Sequence, residues 1–197
     1  MRPAVFIASL LLCLNACQRR EPLPNFASVP PFALTAQDGR YVTDEDYQGR
    51  VWIADFVFTN CPGPCPMLTS HMRDVQDLLV ERSLDVPLVS FSVDPETDTP
   101  EVLTEYGKTF GADFTRWAFL TGEKQKIYDL ILHGFLLAVS DGAVSSEYSA
   151  GPGIITHSTR FALVDQNGEV RGYYHGEEPT VAAEIVADAE RLLAKSR

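Results

Sequence analysis

The stretch VWIADFVFTNCPGPCPMLTSHMRDVQDLLVE, residues 51–81, decides the fold. Its opening run, Val51 to Phe58, is largely apolar and rich in β-formers, the pattern of a strand buried on both faces at the centre of a sheet. From Met67 to Glu81 the apolar residues fall at Met67, Leu68, Met72, Val75, Leu78 and Leu79, a helical period. Between the two, Pro62, Pro64 and Pro66 bias Cys61, Gly63 and Cys65 toward extended backbone, so the cysteine pair sits on a loop. Pro66 suits a first helical turn. Cys65 therefore stands at the helix entrance, where unpaired amides and the helix dipole favour thiolate over thiol.

The same alternation continues on both sides. FALTAQDGRYV (32–42) holds two apolar stretches around Asp38-Gly39, a hairpin signal. VPLVSFSV (86–93) reads as a strand. The helix after it has Thr99 as a cap, Pro100 at the first helical position, a stripe of Val102, Leu103, Tyr106 and Phe110, and a stop at Gly111. Strand-like TRWAFLT, helix-like EKQKIYDLILHGF, strand-like STRFALV, the turn DQNGE, strand-like VRGYY and amphipathic PTVAAEIVADAERLLAK complete the order. Alternating βαβα units followed by a hairpin and a last helix predict an α/β fold, a mixed central sheet with helices on its faces and an N-terminal β-hairpin extension. AVSDGAVSSEYSAGPGII (138–155) is rich in glycine and serine and ends just before His157; it reads as a mobile loop bordering the site.

Of 197 residues, 45% are hydrophobic and 22% charged, which suits one globular domain. The net charge of −11 excludes a nucleic-acid binder, since Arg19 and Arg20 form the one adjacent basic pair. The N-terminus is not globular. MRPAVFIASLLLCLNAC carries Arg2 and then an apolar run, Ala4 to Leu14, too short to span a membrane; it reads as a secretory signal peptide. Leu14-Asn15-Ala16-Cys17 resembles a bacterial lipobox, which would make residues 1–16 the signal and Cys17 the lipid-bearing mature N-terminus. Removing those residues takes away only Arg2 and leaves −12. Residues 17–31, with four prolines in QRREPLPNFASVPP, read as a membrane-proximal linker, and 32–197 as the folded domain.

Cys13 leaves with the signal and Cys17 takes lipid, so Cys61 and Cys65 are the thiols of the domain. Two thiols make no disulfide scaffold; an exported close pair is one local disulfide, a redox couple or a metal site, and the spacing does not choose. Thiolates prefer Cu(I) and imidazole tolerates both copper oxidation states, so one added histidine would give a three-ligand site. A closed zinc site would want four ligands, and no second close cysteine or histidine pair exists to complete one.

VFTNCPGPCP, FSVDPETDTPEVLTEYGKTF, WAFLTG and THSTRFALVDQNGEVRGYY, in this order, resemble the Sco/SenC/PrrC proteins over about residues 32–196. The resemblance implies a thioredoxin-like copper protein that helps assemble the binuclear copper centre of cytochrome c oxidase. It further implies copper ligands at Cys61, Cys65 and His157, with an oxidase copper subunit and a periplasmic copper donor as partners and a location outside the cytoplasm on a lipid anchor. Asp94 and Asp98 match the family's acidic segment and are expected either to cap the following helix or to support the site, Asp98 and Thr99 being the better caps. His71, His133 and His175 read as surface or capping residues, His71 with some prospect as an auxiliary ligand. Met67 and Met72 read as core. The competing reading is a thiol-disulfide reductase in which one cysteine attacks a partner and the other resolves the mixed disulfide, with no need of a histidine. Against it, redoxins usually place two residues between their cysteines and a proline opposite them. A third reading is a structural disulfide in a binding module.

Overall fold

The computed structural model describes residues 21–140 and 156–195. Their elements are β1 (Ala27–Ser28), β2 (Ala33–Ala36), β3 (Tyr41–Thr43), β4 (Trp52–Val57), α1 (Cys65–Glu81), β5 (Leu88–Ser92), α2 (Pro100–Thr109), β6 (Trp117–Thr121), α3 (Lys124–Asp129), β7 (Val139–Ser140), β8 (Thr156–His157), β9 (Arg160–Val164), β10 (Glu169–His175) and α4 (Val181–Lys195). The main sheet runs β1-β10-β9-β4-β5-β6-β2-β3, with β4, β5 and β6 parallel and the other pairings antiparallel. This is the mixed, thioredoxin-like sheet that the sequence predicts. The hairpin around Gly39, which takes a left-handed φ of 81°, joins it by β2 pairing with β6.

All six residues of β4 are buried, as its apolar run requires of a strand covered on both faces. On one face Trp52 and Phe56 pack with Phe91 and Phe135; on the other, Ile53 packs with Leu68, Met72 and Val75 of α1, Trp117 and Phe119 of β6, and Ile185 of α4. The sheet is thus a wall between two cores. The parallel strands β4 and β5 end on one edge, and the cysteine loop follows β4 there.

Two segments differ from expectation. The chain from Glu21 to Pro31 is extended, but it lies on the domain, so the packed part begins before Phe32. β1 pairs with the edge of β10, and Phe26 sits 5.2 Å from the Tyr173 ring. Arg171 donates to the carbonyls of Pro24 at 2.7 Å and Leu23 at 2.5 Å, and Arg191 to that of Glu21 at 2.6 Å. A proline-rich stretch is short of N–H donors but keeps every carbonyl, and guanidinium groups use those carbonyls. The expected helix 123–135 is α-helical only to Asp129 and then widens into one π-turn, Leu130–Gly134. Gly134 is the tight point: a Cβ there would lie 2.5 Å from Pro30 Cδ. Leu136 follows with φ of 50°, and the chain turns into β7, whose partner is β8. Residues 141–155, most of the expected loop, lie outside the described residues, as do the signal sequence and Cys17.

Candidate metal centre

Cys61 and Cys65 are placed by the break between β4 and α1. The Pro64 carbonyl accepts from the amides of Met67 and Leu68, both at 3.0 Å, which starts α1 at Cys65 with Pro66 in its first turn. Cys65 is fully buried and Cys61 half-buried. His157 arrives from a distant part of the chain. It is the last residue of β8, held by pairing with Val139 and by the Ser158 amide donating to the Ala138 carbonyl at 3.0 Å. The Phe58 ring meets the imidazole edge-on, with centroids 5.6 Å apart.

His157 Nε2 lies 3.3 Å from Cys65 Sγ. On the ring's other side, Nδ1 is 3.0 Å from the Ser158 carbonyl. A carbonyl only accepts, so Nδ1 carries the hydrogen and the Nε2 lone pair points at the thiols. The ligand atoms of Cys61, Cys65 and His157 all lie within 4.8 Å of one another, the one such cluster among the described residues. Two sulfurs and one imidazole nitrogen at this spacing fit a soft, thiophilic cation such as Cu(I). No fourth donor in that cluster completes the tetrahedron of a structural zinc site.

The thiol that ionises readily is Cys61, whereas the helix entrance pointed to Cys65. Burial opposes charge on Cys61, but the contact with His157 and hydrogen bonds from the Cys65 thiol and from the Cys65 and Gly63 amides outweigh it and bring its pKa down to about 7. Cys65 goes the other way. Burial pushes its thiol up, and the hydrogen bond to Cys61 adds to that. Full enclosure of the side chain outweighs the helix dipole.

Asp98 does not cap α2. Thr99 does, its Oγ1 accepting from the Val102 amide at 3.4 Å. Asp98, fully buried, accepts instead from Thr59 Oγ1 and Ser92 Oγ, both at 2.6 Å, and from the Thr59 amide at 3.2 Å. It ties the loop after β4, two residues before Cys61, to the end of β5. Asp94 supplies its backbone to that turn, donating to Ser92 Oγ at 3.1 Å, and is not in the cluster. His71 uses Nδ1 on the Gly176 carbonyl at 2.6 Å. His133 and His175 are exposed. Met72 is core as expected, but Met67, on the outward side of the first turn of α1, is 41% exposed.

A group behind Cys65 was not anticipated. Thr69 Oγ1 donates to the Cys65 carbonyl at 2.9 Å and lies 2.7 Å from Tyr106 Oη. Asp55, the one charged residue in the β4 run, is buried and receives the Ser90 hydroxyl at 2.5 Å, and Ser90 in turn receives Trp117 Nε1 at 2.8 Å. Burial raises the Asp55 carboxyl to about 7. The signal was a lone carboxylate in an apolar strand.

A thioredoxin-like domain presenting two thiols and one imidazole at the carboxyl edge of its parallel strands has the donor set of a soft-metal-binding protein. The SCO1/SenC family model matches residues 20–194, and the chain belongs to that family. It is 38% identical to the SCO1 protein homolog of Bacillus subtilis, over 92% of this chain and 91% of that one. Among solved structures it resembles a SCO1/SenC family lipoprotein from Bacillus anthracis (38% identity, TM-score 0.76, covering 85% and 95% of the two chains). It also resembles BsSco, a cytochrome c oxidase assembly protein with a disulfide switch (35%, TM-score 0.75, 90% and 99%). Bradyrhizobium japonicum ScoI, solved with copper bound, is more distant (25%, TM-score 0.68, 84% and 99%).

Proposed function

We propose that the protein binds one copper ion through the Cys61 and Cys65 thiolates and His157 Nε2, and delivers it to, or prepares, the binuclear copper site of cytochrome c oxidase. The observation that carries the reading is the convergence of two sulfurs and a correctly tautomerised imidazole within 4.8 Å. Membership of a family in which ScoI is solved with copper and BsSco is described as an oxidase assembly protein supports it. Binding releases the protons of both thiols, Cys61 first. Two thiolates with Cu(II) make a neutral site and with Cu(I) a singly negative one, so the chain has reason to hold either. Half-exposed Cys61 offers an incoming ligand its way in, and transfer proceeds by exchange of one donor at a time. The chain is held outside the cytoplasm by lipid on Cys17; the lipobox-like LNAC and the B. anthracis lipoprotein support this.

Reduced protein should bind one equivalent of copper, and His157→Ala should weaken binding at least tenfold by competition with a chromogenic chelator. Undiminished affinity in that variant would sink the three-ligand site.

A second reading is supported by the low pKa of Cys61 beside buried Cys65 and by the disulfide switch of BsSco. The Cys61 thiolate attacks a partner disulfide, one partner thiolate leaves, and Cys65 then gives up its proton and displaces the second, leaving a Cys61–Cys65 disulfide and a reduced partner. Catalytic reduction of an oxidised copper-subunit peptide without copper would favour it over metal transfer.

A further inference from the structure

The chain meets the domain at the end of the sheet remote from the thiols. Trp52 pairs with Val164 and Val164 with Val170, so the start of β10 is level with the start of β4, whereas Cys61 follows the end of β4. At that remote end Arg171 holds the carbonyls of Leu23 and Pro24 and pairs with Asp165 in the β9–β10 turn. Arg191 holds the Glu21 carbonyl, and its neighbour Glu190 pairs at 3.1 Å with Arg82, the residue after α1. Helix α1 is therefore a ruler between the two ends. Cys65 opens it and Arg82 closes it, and its 17 residues span about 25 Å.

We propose that the Arg82–Asp165–Arg191 end of the domain is its membrane-facing surface. The thiol and imidazole site is then held about 25 Å further out, where it serves acceptor thiols or imidazoles carried on the extramembrane part of a partner. This rests on the lipid attachment at Cys17 proposed above. Four residue steps separate Cys17 from Glu21, at most about 14 Å of fully extended chain. Turning the site down to the lipid would require the tether to run back along the flank of α1 for about 25 Å, and it does not reach. The guanidinium clamps on the carbonyls of Glu21, Leu23 and Pro24 oppose the peeling that would lengthen it.

The test uses the full lipidated chain carrying Cys61→Ser and Cys65→Ser, reconstituted in phosphatidylcholine and phosphatidylglycerol vesicles that contain nitroxide-labelled lipid. A fluorophore is placed either at Asn167→Cys in the remote β9–β10 turn or at Glu178→Cys just beyond β10, both exposed. Quenching at 167 should exceed that at 178 severalfold, and a 12-residue Gly/Ser insertion between Arg20 and Glu21 should reduce the difference at unchanged copper affinity in the otherwise native chain. Equal or stronger quenching at 178 overturns the orientation, and an unaltered difference after the insertion overturns the short tether as its cause. Mass spectrometry separates these from failure of the anchor: a chain without the diacylglyceryl mass on Cys17 that stays out of the vesicles overturns the anchor, and with it the membrane-facing surface.

Discussion

Asp98 receives three hydrogen bonds while showing no surface to solvent, and two of them come from Thr59, two residues before Cys61. Asp98→Ala would leave the Thr59 amide and two hydroxyls buried without an acceptor, a loss of about 2–4 kcal/mol. Urea unfolding should show that loss, and chelator competition should show weakened copper binding, with Asp98→Asn retaining most of both. Wild-type copper affinity in a folded Asp98→Ala protein would reduce Asp98 to a purely structural role. The sequence offered capping and site support as equals. Only the burial of the side chain separates it from Thr99, because adjacent residues at a helix entrance point to opposite sides.

Helix α1 links the site to the rest of the fold, and its far end is strained in a way sequence periodicity does not reveal. The chain leaves it with Ser83 at φ of 55°, the Leu84 amide donating to the Leu79 carbonyl at 2.9 Å, and Leu84 packed on the core below. That closure prefers glycine. Ser83→Gly should therefore raise stability by about 0.5–1 kcal/mol, measurable as a higher urea midpoint, and leave copper binding untouched. The strands and helices were legible wherever burial imposed a period, as in β4, α1 and α4. The π-turn at Leu130–Gly134 was not, because 3.6-residue spacing continues through it, and the approach of Pro30 that leaves no room for a Cβ at Gly134 is a tertiary contact. Nor was β1, whose two residues carry no period and gain their order from Arg171 and Tyr173 on the partner edge.

At the scale of the whole molecule, Asp55 makes stability depend on pH. Its carboxyl titrates at about 7 in the folded chain against an ordinary value of 3.8. The folded state thus keeps a proton that the unfolded state has lost, so this contribution is full below about pH 4 and disappears as pH rises through 7, for up to about 4 kcal/mol. Asp55→Asn keeps an acceptor for Ser90 and does not ionise. Relative to the native chain its stability should rise between pH 4 and pH 8 in urea titrations; parallel profiles would exclude Asp55 as the source.

The sequence by itself determined the order of elements, the central place of β4, the loop that carries Cys61 and Cys65 into a helix, and, through its resemblance to one family, His157 as their companion. These follow from local rules: apolar period, proline geometry and motif order act within a few residues of each position. The tertiary structure decided which thiol is acidic, since that depends on how deeply each is enclosed and on the hydrogen bonds gathered around Cys61. It also decided which tautomer His157 holds, what Asp98 and Asp55 do, and where the N-terminal segment docks. Each of those is set by dielectric and by partners brought together only when the sheet closes, so no stretch of the chain contains them.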